Sequence, residues 1–350
     1  MKTNEFTYLD SDDLERVFQQ TPFLEVELVT GLPKMDINRW GPGFRNLFVS
    51  IEQTSFFWYN AVKGDTAMIE VNCEYKIKED IGFIIEAEKI NALELSEATK
   101  ISRTTFNAIG KRGSATDEVC EKLYAYIYRH NYRINSVKEE LIREKYGTVL
   151  FHGSKSGLSG ITVSGSRNNC DFGNGFYLGQ TYSQALSFVC EYDRASVYSF
   201  KYSLEGLKCV EFDCSLDWMI AICYFRGTIK KYARSEMVQK VVKKIEDADV
   251  IIAPIADNKM FYVMSQFAEG EINADVAIHS LSASRLGLQY IFKTDKALKN
   301  LIPIERYYLS GPEREDCRRA LIERGYEIDT KLKLAKREFK TGLYIEELLK

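Results

Sequence analysis

The character of the chain changes at Gly147, and this change constrains its architecture more than any other feature. Before it, residues 81–146 repeat apolar side chains at three- and four-residue spacing, which is typical of amphipathic helices. After it come the apolar run TVLF (148–151), a Gly- and Ser-rich loop, and then alternating strand-like and helix-like runs. No internal repeat is visible. The sequence therefore predicts an all-α segment followed by an α+β domain.

Four segments are predicted along the 350 residues. Their boundaries are 1–80 for an unassigned N-terminal module, 81–146 for a helical domain, 147–310 for the α+β domain, and 311–350 for a C-terminal helical extension. The first module holds the aromatic cluster Phe56-Phe57-Trp58-Tyr59, and we interpret it as structural or oligomerising, which leaves a homodimer open. In the extension, the run RRALIERG predicts a helix that ends at Gly325, because glycine readily adopts the C-cap conformation.

The net charge of -3 gives the chain no overall positive field, so any contact with nucleic acid must come from a local patch. Eight cysteines form no CxxC pair and only three histidines are present, which argues against a zinc site and predicts no metal cofactor. The first residues lack the apolar core of a signal peptide, and no run approaches the ~18 apolar residues of a membrane span. Unpaired thiols without a signal peptide predict a cytoplasmic protein with no membrane partner.

The stretch LELSEATKISRTTFNAIGKRG (93–113) carries the pattern of two short helices separated by a turn. Ser102 is placed to open the second helix, because its hydroxyl can accept a hydrogen bond from a backbone N–H of the first turn. Thr116, followed by acidic residues, is placed to open the next helix. The apolar residues expected to pack the two short helices together are Leu95, Ile101, Phe106 and Ile109.

This stretch resembles the helix-turn-helix of the lambda-repressor and Cro-like family. The resemblance implies that Arg103, Thr104, Thr105 and Asn107 reach base edges in the major groove, with Lys111 and Arg112 near phosphate. The residues predicted to bind nucleic acid are Arg103, Thr104, Asn107 and Lys111. Two features depart from the family: Lys100 occupies a turn position that is usually glycine, and residues 81–146 carry 11 Lys/Arg against 10 Asp/Glu. The alternative to a DNA-binding helix-turn-helix is a helical bundle that serves for dimerisation or for docking a partner.

Three motifs lie in the α+β domain. The run LFHGS (150–154) is an apolar strand that delivers His152 and then a glycine at its end. The run DFGNGFYL (171–178) is a loop whose two glycines let the backbone approach a ligand closely, and it ends in an aromatic residue. A helix-like run, SQALSF (183–188), follows it. Further on, GLQYIF (287–292) predicts a strand that precedes the helix-like run DKAL.

Together these motifs resemble the H-Y-E class of ADP-ribosyltransferases, the diphtheria-toxin and poly-ADP-ribose-polymerase type. They are more similar still to a bacterial subfamily that carries HGS, DFGxGFY and a late QYxF strand. The resemblance covers about 150 residues of the chain. It implies an α+β fold with a split antiparallel β-sheet, NAD+ as the substrate, and transfer of ADP-ribose.

The resemblance also implies a role for each matched residue. His152 would hydrogen-bond a ribose hydroxyl of NAD+, Gly153 would present its backbone to the nicotinamide carboxamide, and Tyr177 would stack on the nicotinamide ring. Ser183 would bind the same carboxamide, although the loop before it is about two residues shorter than in the polymerases. Arg167 would steady the pyrophosphate or anchor the Asp171 loop. The full set predicted to bind NAD+ is His152, Gly153, Ser154, Arg167, Asp171, Gly175, Tyr177 and Ser183.

The third catalytic position departs from the triad, because family members carry glutamate where this chain has Gln289. The predicted catalytic residues are therefore His152, Tyr177 and Gln289. Glutamine keeps an acceptor oxygen but lacks the charge, and losing one such partner typically costs about 10²–10³ in rate. The site would then rely on strain and desolvation of NAD+, or on an acceptor that is already nucleophilic. Glu269 and Glu271 are an alternative source of a carboxylate for the site. The alternative interpretation is that both glutamates lie in a solvated turn and have no catalytic role.

The leading hypothesis is a mono-ADP-ribosyltransferase that modifies an unidentified macromolecule, either a protein or a nucleic acid. A phosphate, a carboxylate or an exposed nucleobase would suit a site without a catalytic carboxylate. Toxin or defence roles are suggested only by analogy of fold. One rival hypothesis is a DNA-binding transcriptional regulator whose transferase-like domain senses NAD+. A second is an NAD+ glycohydrolase that uses water as the acceptor.

Overall fold

The computed structural model describes residues 68–166, 169–282 and 287–350. Residues Glu70–Lys350 form one compact unit. The interpretations made for residues 1–67, including the aromatic cluster, lie outside the described residues. The described part of the chain is mixed α/β, with thirteen α-helices and a mostly antiparallel sheet.

Five helices occupy the segment between residue 77 and Gly147. They are α1 (Ile77–Glu88), α2 (Ala92–Thr99), α3 (Arg103–Arg112), α4 (Asp117–Arg129) and α5 (Ile134–Tyr146). The Ser102 hydroxyl caps α3 by accepting the N–H of Thr105 at 3.1 Å. The Thr116 hydroxyl caps α4 by accepting the N–H of Val119 at 3.4 Å. Both predicted helix starts are confirmed.

The turn between α2 and α3 is three residues long. The four residues expected to pack around it, Leu95, Ile101, Phe106 and Ile109, are all buried in one apolar cluster. Lys100 lies in the turn with a φ of 57°, which is the left-handed region. A side chain there costs roughly 1 kcal/mol relative to glycine. Burial of the apolar cluster offsets that cost.

Seven strands form the main sheet, in the order β6–β7–β8–β4–β2–β5–β9. Their bounds are β2 (Val149–Ser154), β4 (Phe176–Gly179), β5 (Ser196–Tyr202), β6 (Cys209–Glu211), β7 (Val250–Pro254), β8 (Leu288–Phe292) and β9 (Leu301–Tyr308), while the two-residue strands β1 (Ile69–Glu70) and β3 (Gly160–Ile161) lie outside this sheet. Strands β6 and β7 are parallel, and the other neighbouring pairs are antiparallel. The runs predicted to be strands at LFHGS and QYIF are β2 and β8.

The remaining helices pack on this sheet or follow it. They are α6 (Tyr182–Ser187), α7 (Leu216–Phe225), α8 (Glu236–Glu246), α9 (Asn258–Ala268), α10 (Ala274–Ser282), α11 (Asp295–Leu298), α12 (Gly311–Glu338) and α13 (Ile345–Leu348). Helix α7 is apolar apart from Asp217 in its first turn, and it shares one buried cluster with Ile251 of β7 and Ile291 of β8. Helix α6 packs Ala185 against Phe151 of β2 in a second cluster. The motif-bearing strands therefore each have a helix behind them.

The C-terminal helix is longer than predicted. The expected end at Gly325 is wrong, because α12 continues through that glycine to Glu338. Ile328, Leu332 and Ala335 extend the apolar stripe past the glycine, and all three are buried in the cluster that contains α7. Burial of these side chains outweighs the cost of about 1 kcal/mol for a glycine inside a helix.

A buried group of charges joins the first helices to the sheet. Lys138 of α5 lies between Asp80 of α1, at 3.1 Å, and Glu305 of β9, at 2.5 Å. Lys76 binds the other Glu305 oxygen at 2.9 Å. Burial disfavours the charged ammonium, but the two carboxylates outweigh it and raise the pKa of Lys138. Removing one member would leave an uncompensated buried charge.

Candidate functional site

The three predicted catalytic residues lie on three neighbouring strands of the sheet. Gln289 is on β8, Tyr177 on β4 and His152 on β2, and these strands are adjacent in that order. Gly179 of β4 is paired with Gln289 on one side and with Phe151 on the other. Residues 152, 177 and 289, which are far apart in sequence, therefore converge on one region of the sheet.

Strands β2 and β4 share a single paired position, Phe151 with Gly179. Beyond it β2 continues to Ser154 and stays paired with β5, whereas its edge facing β4 has no further ladder partner among the described residues. We call this interruption of the ladder, between Gly153-Ser154 and Phe176-Tyr177, the β2–β4 gap. Backbone groups at such an interruption are open to a ligand, because the neighbouring strand does not use them.

The His152 imidazole crosses the start of the β2–β4 gap. Its Nδ1 lies 2.8 Å from the Tyr177 carbonyl oxygen. Since a carbonyl only accepts, Nδ1–H is the donor, and Nε2 of the neutral ring is the acceptor. The ring stacks on Phe176, with centroids 4.4 Å apart. Burial lowers the pKa of His152 below its ordinary value of 6.5, so the ring is neutral at pH 7.

Tyr177 is held by the DFGNG loop that precedes it. Its hydroxyl donates to the Gly173 carbonyl at 2.7 Å and accepts the Phe172 N–H at 3.1 Å. Burial raises the pKa of the phenol well above its ordinary value, so the hydroxyl stays protonated and keeps both bonds. The half-buried ring packs against the α7 cluster on the sheet face opposite His152 and Phe176. A ligand that touches both residues must therefore cross the gap.

Gln289 is buried and belongs to a cluster of polar side chains that the sequence did not predict. Its Nε2 donates to Asp171 Oδ2 at 3.2 Å and to the Pro254 carbonyl at 3.1 Å. Arg226, directly after α7, donates to Asp171 Oδ1 from Nε at 2.7 Å, and its Nη2 lies 2.6 Å from the same oxygen in an ion pair. Arg226 has no motif around it, and the one available indication was a basic residue directly after a helix that is apolar except for Asp217.

Two glycines of the predicted NAD+ site, Gly153 and Gly175, lie where packing leaves no room for a side chain. A Cβ on Gly153 would overlap the Ala185 carbonyl oxygen of α6, and one on Gly175 would come within 2.6 Å of Ile291 Cγ2. Gly153 therefore lets α6 approach β2 closely, whatever its backbone contacts in a ligand complex. The space between Gly153 and α6 has room for backbone only.

The remaining predicted ligand residues differ in their availability. The Ser154 hydroxyl is engaged internally, since it donates to the Gly157 carbonyl at 2.6 Å. Ser183 is exposed at the start of α6, with its hydroxyl 3.1 Å from that of Thr181. Arg167 lies outside the described residues. Glu269 and Glu271 are exposed, and the carboxylate that contacts Gln289 is that of Asp171.

The residues predicted to bind nucleic acid lie together on α3. Arg103, Asn107 and Lys111 are spaced four apart, so they share one stripe of the helix, and all are exposed, as is Thr104. The Thr104 hydroxyl is 2.8 Å from that of Ser102, which ties it to the helix cap. The stripe presents two cations and one amide to solvent.

Comparison with known proteins gives one match. Residues 148–302 match the model of a family described as Protein of unknown function (DUF3990), which covers the three motifs and less than half of the chain. No curated protein and no solved structure is significantly similar to the chain. Among the described residues, no helix is both long and apolar enough to cross a bilayer, and no group of three or more His, Cys, Asp or Glu could hold a metal ion.

Proposed function

We propose that the protein is an NAD+-dependent mono-ADP-ribosyltransferase that modifies a macromolecule, and that its sheet domain is an ADP-ribosyltransferase fold whose sheet splits at the β2–β4 gap. The observation that carries the proposal is the gap itself. It interrupts the ladder at the residues that resemble the family's nicotinamide site. His152 and Tyr177 flank it, and Gln289 lies one strand further along.

Each residue has a contact that suits its proposed role. The open edge of β2 at Gly153 would bind the nicotinamide carboxamide with backbone groups. The Nε2 of neutral His152 would accept a hydrogen bond from a ribose hydroxyl. The Tyr177 ring, which the loop holds in place, would lie against the nicotinamide. Both N–H bonds of the Gln289 amide are used by protein groups, so its oxygen would accept the hydrogen bond of a ribose hydroxyl.

The neutral amide of Gln289 restricts the chemistry. It stabilises the positive charge that develops on the ribose less than a carboxylate would, by about 10²–10³ in rate. Gln289 has no carboxylate that could deprotonate a weak nucleophile. We therefore propose an acceptor that is already nucleophilic, such as a phosphate, a carboxylate or an exposed nucleobase. One ADP-ribose unit would be transferred, without chain growth.

The test is incubation of the protein and a cell lysate with NAD+ labelled in its adenylate part. We expect free nicotinamide and label on a macromolecule, with a product mass of one ADP-ribose per site. Separate nuclease and protease treatments identify the acceptor class. Release of free ADP-ribose without labelled macromolecules would establish the glycohydrolase, and NAD+ binding without turnover would establish the NAD+-sensing regulator. Chains of repeated ADP-ribose would contradict single transfer.

We further propose that α2 and α3 form a helix-turn-helix that places the transferase on DNA. The exposed stripe of Arg103, Asn107 and Lys111 on the second helix supports this. In the Arg103→Ala/Asn107→Ala variant, affinity for a pool of duplex DNA is expected to fall by about tenfold or more, since each base contact contributes about 1–3 kcal/mol. Lys333→Ala, an exposed cation on α12, is the control. Absence of DNA binding by the unaltered protein would favour docking of a protein partner instead.

A further inference from the structure

The orientation of the Gln289 amide is fixed by two different acceptors. One is the Asp171 carboxylate at 3.2 Å and the other is the Pro254 carbonyl at 3.1 Å. Rotating the amide by 180° would point its oxygen at both of these oxygens. Because carboxylates and carbonyls only accept, the rotated amide would lose both hydrogen bonds and gain repulsion. The Oε1 atom of Gln289 is therefore held away from Asp171.

Asp171 is in turn fixed by contacts with a cation. Its Oδ1 accepts a hydrogen bond from Arg226 Nε and forms an ion pair with Nη2 of the same guanidinium, which also lies 4.2 Å from the centroid of Phe261. Lys293 at the end of β8 donates to the carbonyl of Phe172, the residue after Asp171. The charged groups around Gln289 are thus one carboxylate in contact with it and two cations that fix the carboxylate and its loop.

We propose that Asp171 is a positioning residue that makes a neutral amide the required group at position 289. The inference rests on the proposed NAD+ site. A glutamate at 289 would place a second carboxylate about 3 Å from Asp171 and against the Pro254 carbonyl, where two like charges cannot both ionise at low cost. The chain therefore uses an Asp171–Gln289 pair where H-Y-E transferases use one glutamate. Asp171 acts on the ligand through the oxygen of Gln289.

The pair predicts an unusual pattern among four variants: Gln289→Glu, Asp171→Asn, the double variant of both, and Asp249→Asn as the control. Asp249 is an aspartate directly before β7 that accepts hydrogen bonds from the Lys208 N–H and the Thr294 hydroxyl. In the double variant the asparagine amide can donate to the glutamate, so the hydrogen bond returns with its direction reversed. Urea midpoints and NAD+ affinity are measured at pH 5.5 and pH 8, each as a ratio to the unaltered protein so that the titration of His152 cancels.

At pH 8, Gln289→Glu is expected to lower the urea midpoint and to weaken NAD+ binding by about tenfold or more. At pH 5.5 both deficits shrink, because one proton shared by the two carboxyl groups replaces the amide N–H. The double variant is expected to lose less affinity than the two single losses combined, because the asparagine amide donates to the glutamate. Direct contact requires this non-additivity. Asp249→Asn leaves NAD+ affinity unchanged.

Two outcomes would overturn the proposal. One is a Gln289→Glu variant with unaltered urea midpoint and NAD+ affinity at pH 8, and the other is a double variant whose losses are the sum of the single losses. The urea measurements need no ligand. If the unaltered protein does not bind NAD+, the proposed function fails while the pairing of Asp171 with Gln289 is still decided. If NAD+ binds but the variants behave additively, the pairing fails and the function stands.

Discussion

Replacing His152 with alanine is expected to lower nicotinamide release from NAD+ by about 10²–10³-fold. The variant removes the Nε2 acceptor for the ribose hydroxyl and the bond from Nδ1 to the Tyr177 carbonyl, which spans the start of the β2–β4 gap. His130→Ala is the matched control, because His130 is exposed on the helical segment and contacts Glu88. Initial rates of nicotinamide release measure the effect.

The same histidine predicts the acid side of the pH profile. Burial lowers the pKa of His152 from 6.5, so the ring is neutral above that value and gains a proton only at lower pH. Protonation turns Nε2 from an acceptor into a donor. We therefore expect activity to hold between pH 7 and 8 and to fall only at pH values below the ordinary imidazole pKa of 6.5. Full activity of His152→Ala, or a rate that falls with His130→Ala instead, would contradict the assignment.

Glu313 is expected to make the protein less stable as the pH rises. Burial raises the pKa of this carboxyl from 4.5 to about 7. The folded protein then binds more protons than the unfolded chain between these values, so the free energy of unfolding falls as pH rises through them. The full shift would correspond to about 3 kcal/mol, and about 2 kcal/mol is expected because the side chain is partly exposed.

Urea unfolding at pH 5 and pH 8 measures this loss. The carboxyl lies at the start of α12, where it accepts hydrogen bonds from the Tyr182 hydroxyl at 2.8 Å and from Asn135 Nδ2 at 3.1 Å. Glu313→Gln removes the charge and is expected to flatten the pH dependence. Glu315→Gln is the control, since Glu315 is exposed and pairs with Arg318. An unchanged pH dependence in Glu313→Gln would show that another group causes the decline.

Local sequence patterns correctly predicted those helix starts and strands that are determined by residues close together in the sequence. The caps at Ser102 and Thr116 depend on a hydroxyl and on the backbone within three residues of it. Strands β2 and β8 are short apolar runs bounded by glycine or polar residues, so their position could be read directly. The mostly antiparallel sheet follows the implied fold class, whereas the assignment to a transferase fold stays a proposal.

Contacts between distant residues could not be predicted in the same way. Asp171 and Arg226 are 55 positions apart, and nothing in either neighbourhood specifies the other. The pairing of Asp171 with Gln289 depends on the register of β8 against β4, which no single sequence determines. The extension of α12 past Gly325 was missed because tertiary burial, not intrinsic propensity, decides whether a helix continues through glycine.

The buried ion pairs of Lys138 have a consequence for where the chain can be cut. A fragment limited to residues 148–302 would lose most of β9 and leave β5 as an unprotected edge. A fragment of 147–310 would keep Glu305 but lose Lys138 and Lys76, leaving a buried carboxylate without a counter-charge. The stretch that matches the three motifs is therefore shorter than the piece expected to fold cooperatively, which has to include Lys138 and most of β9.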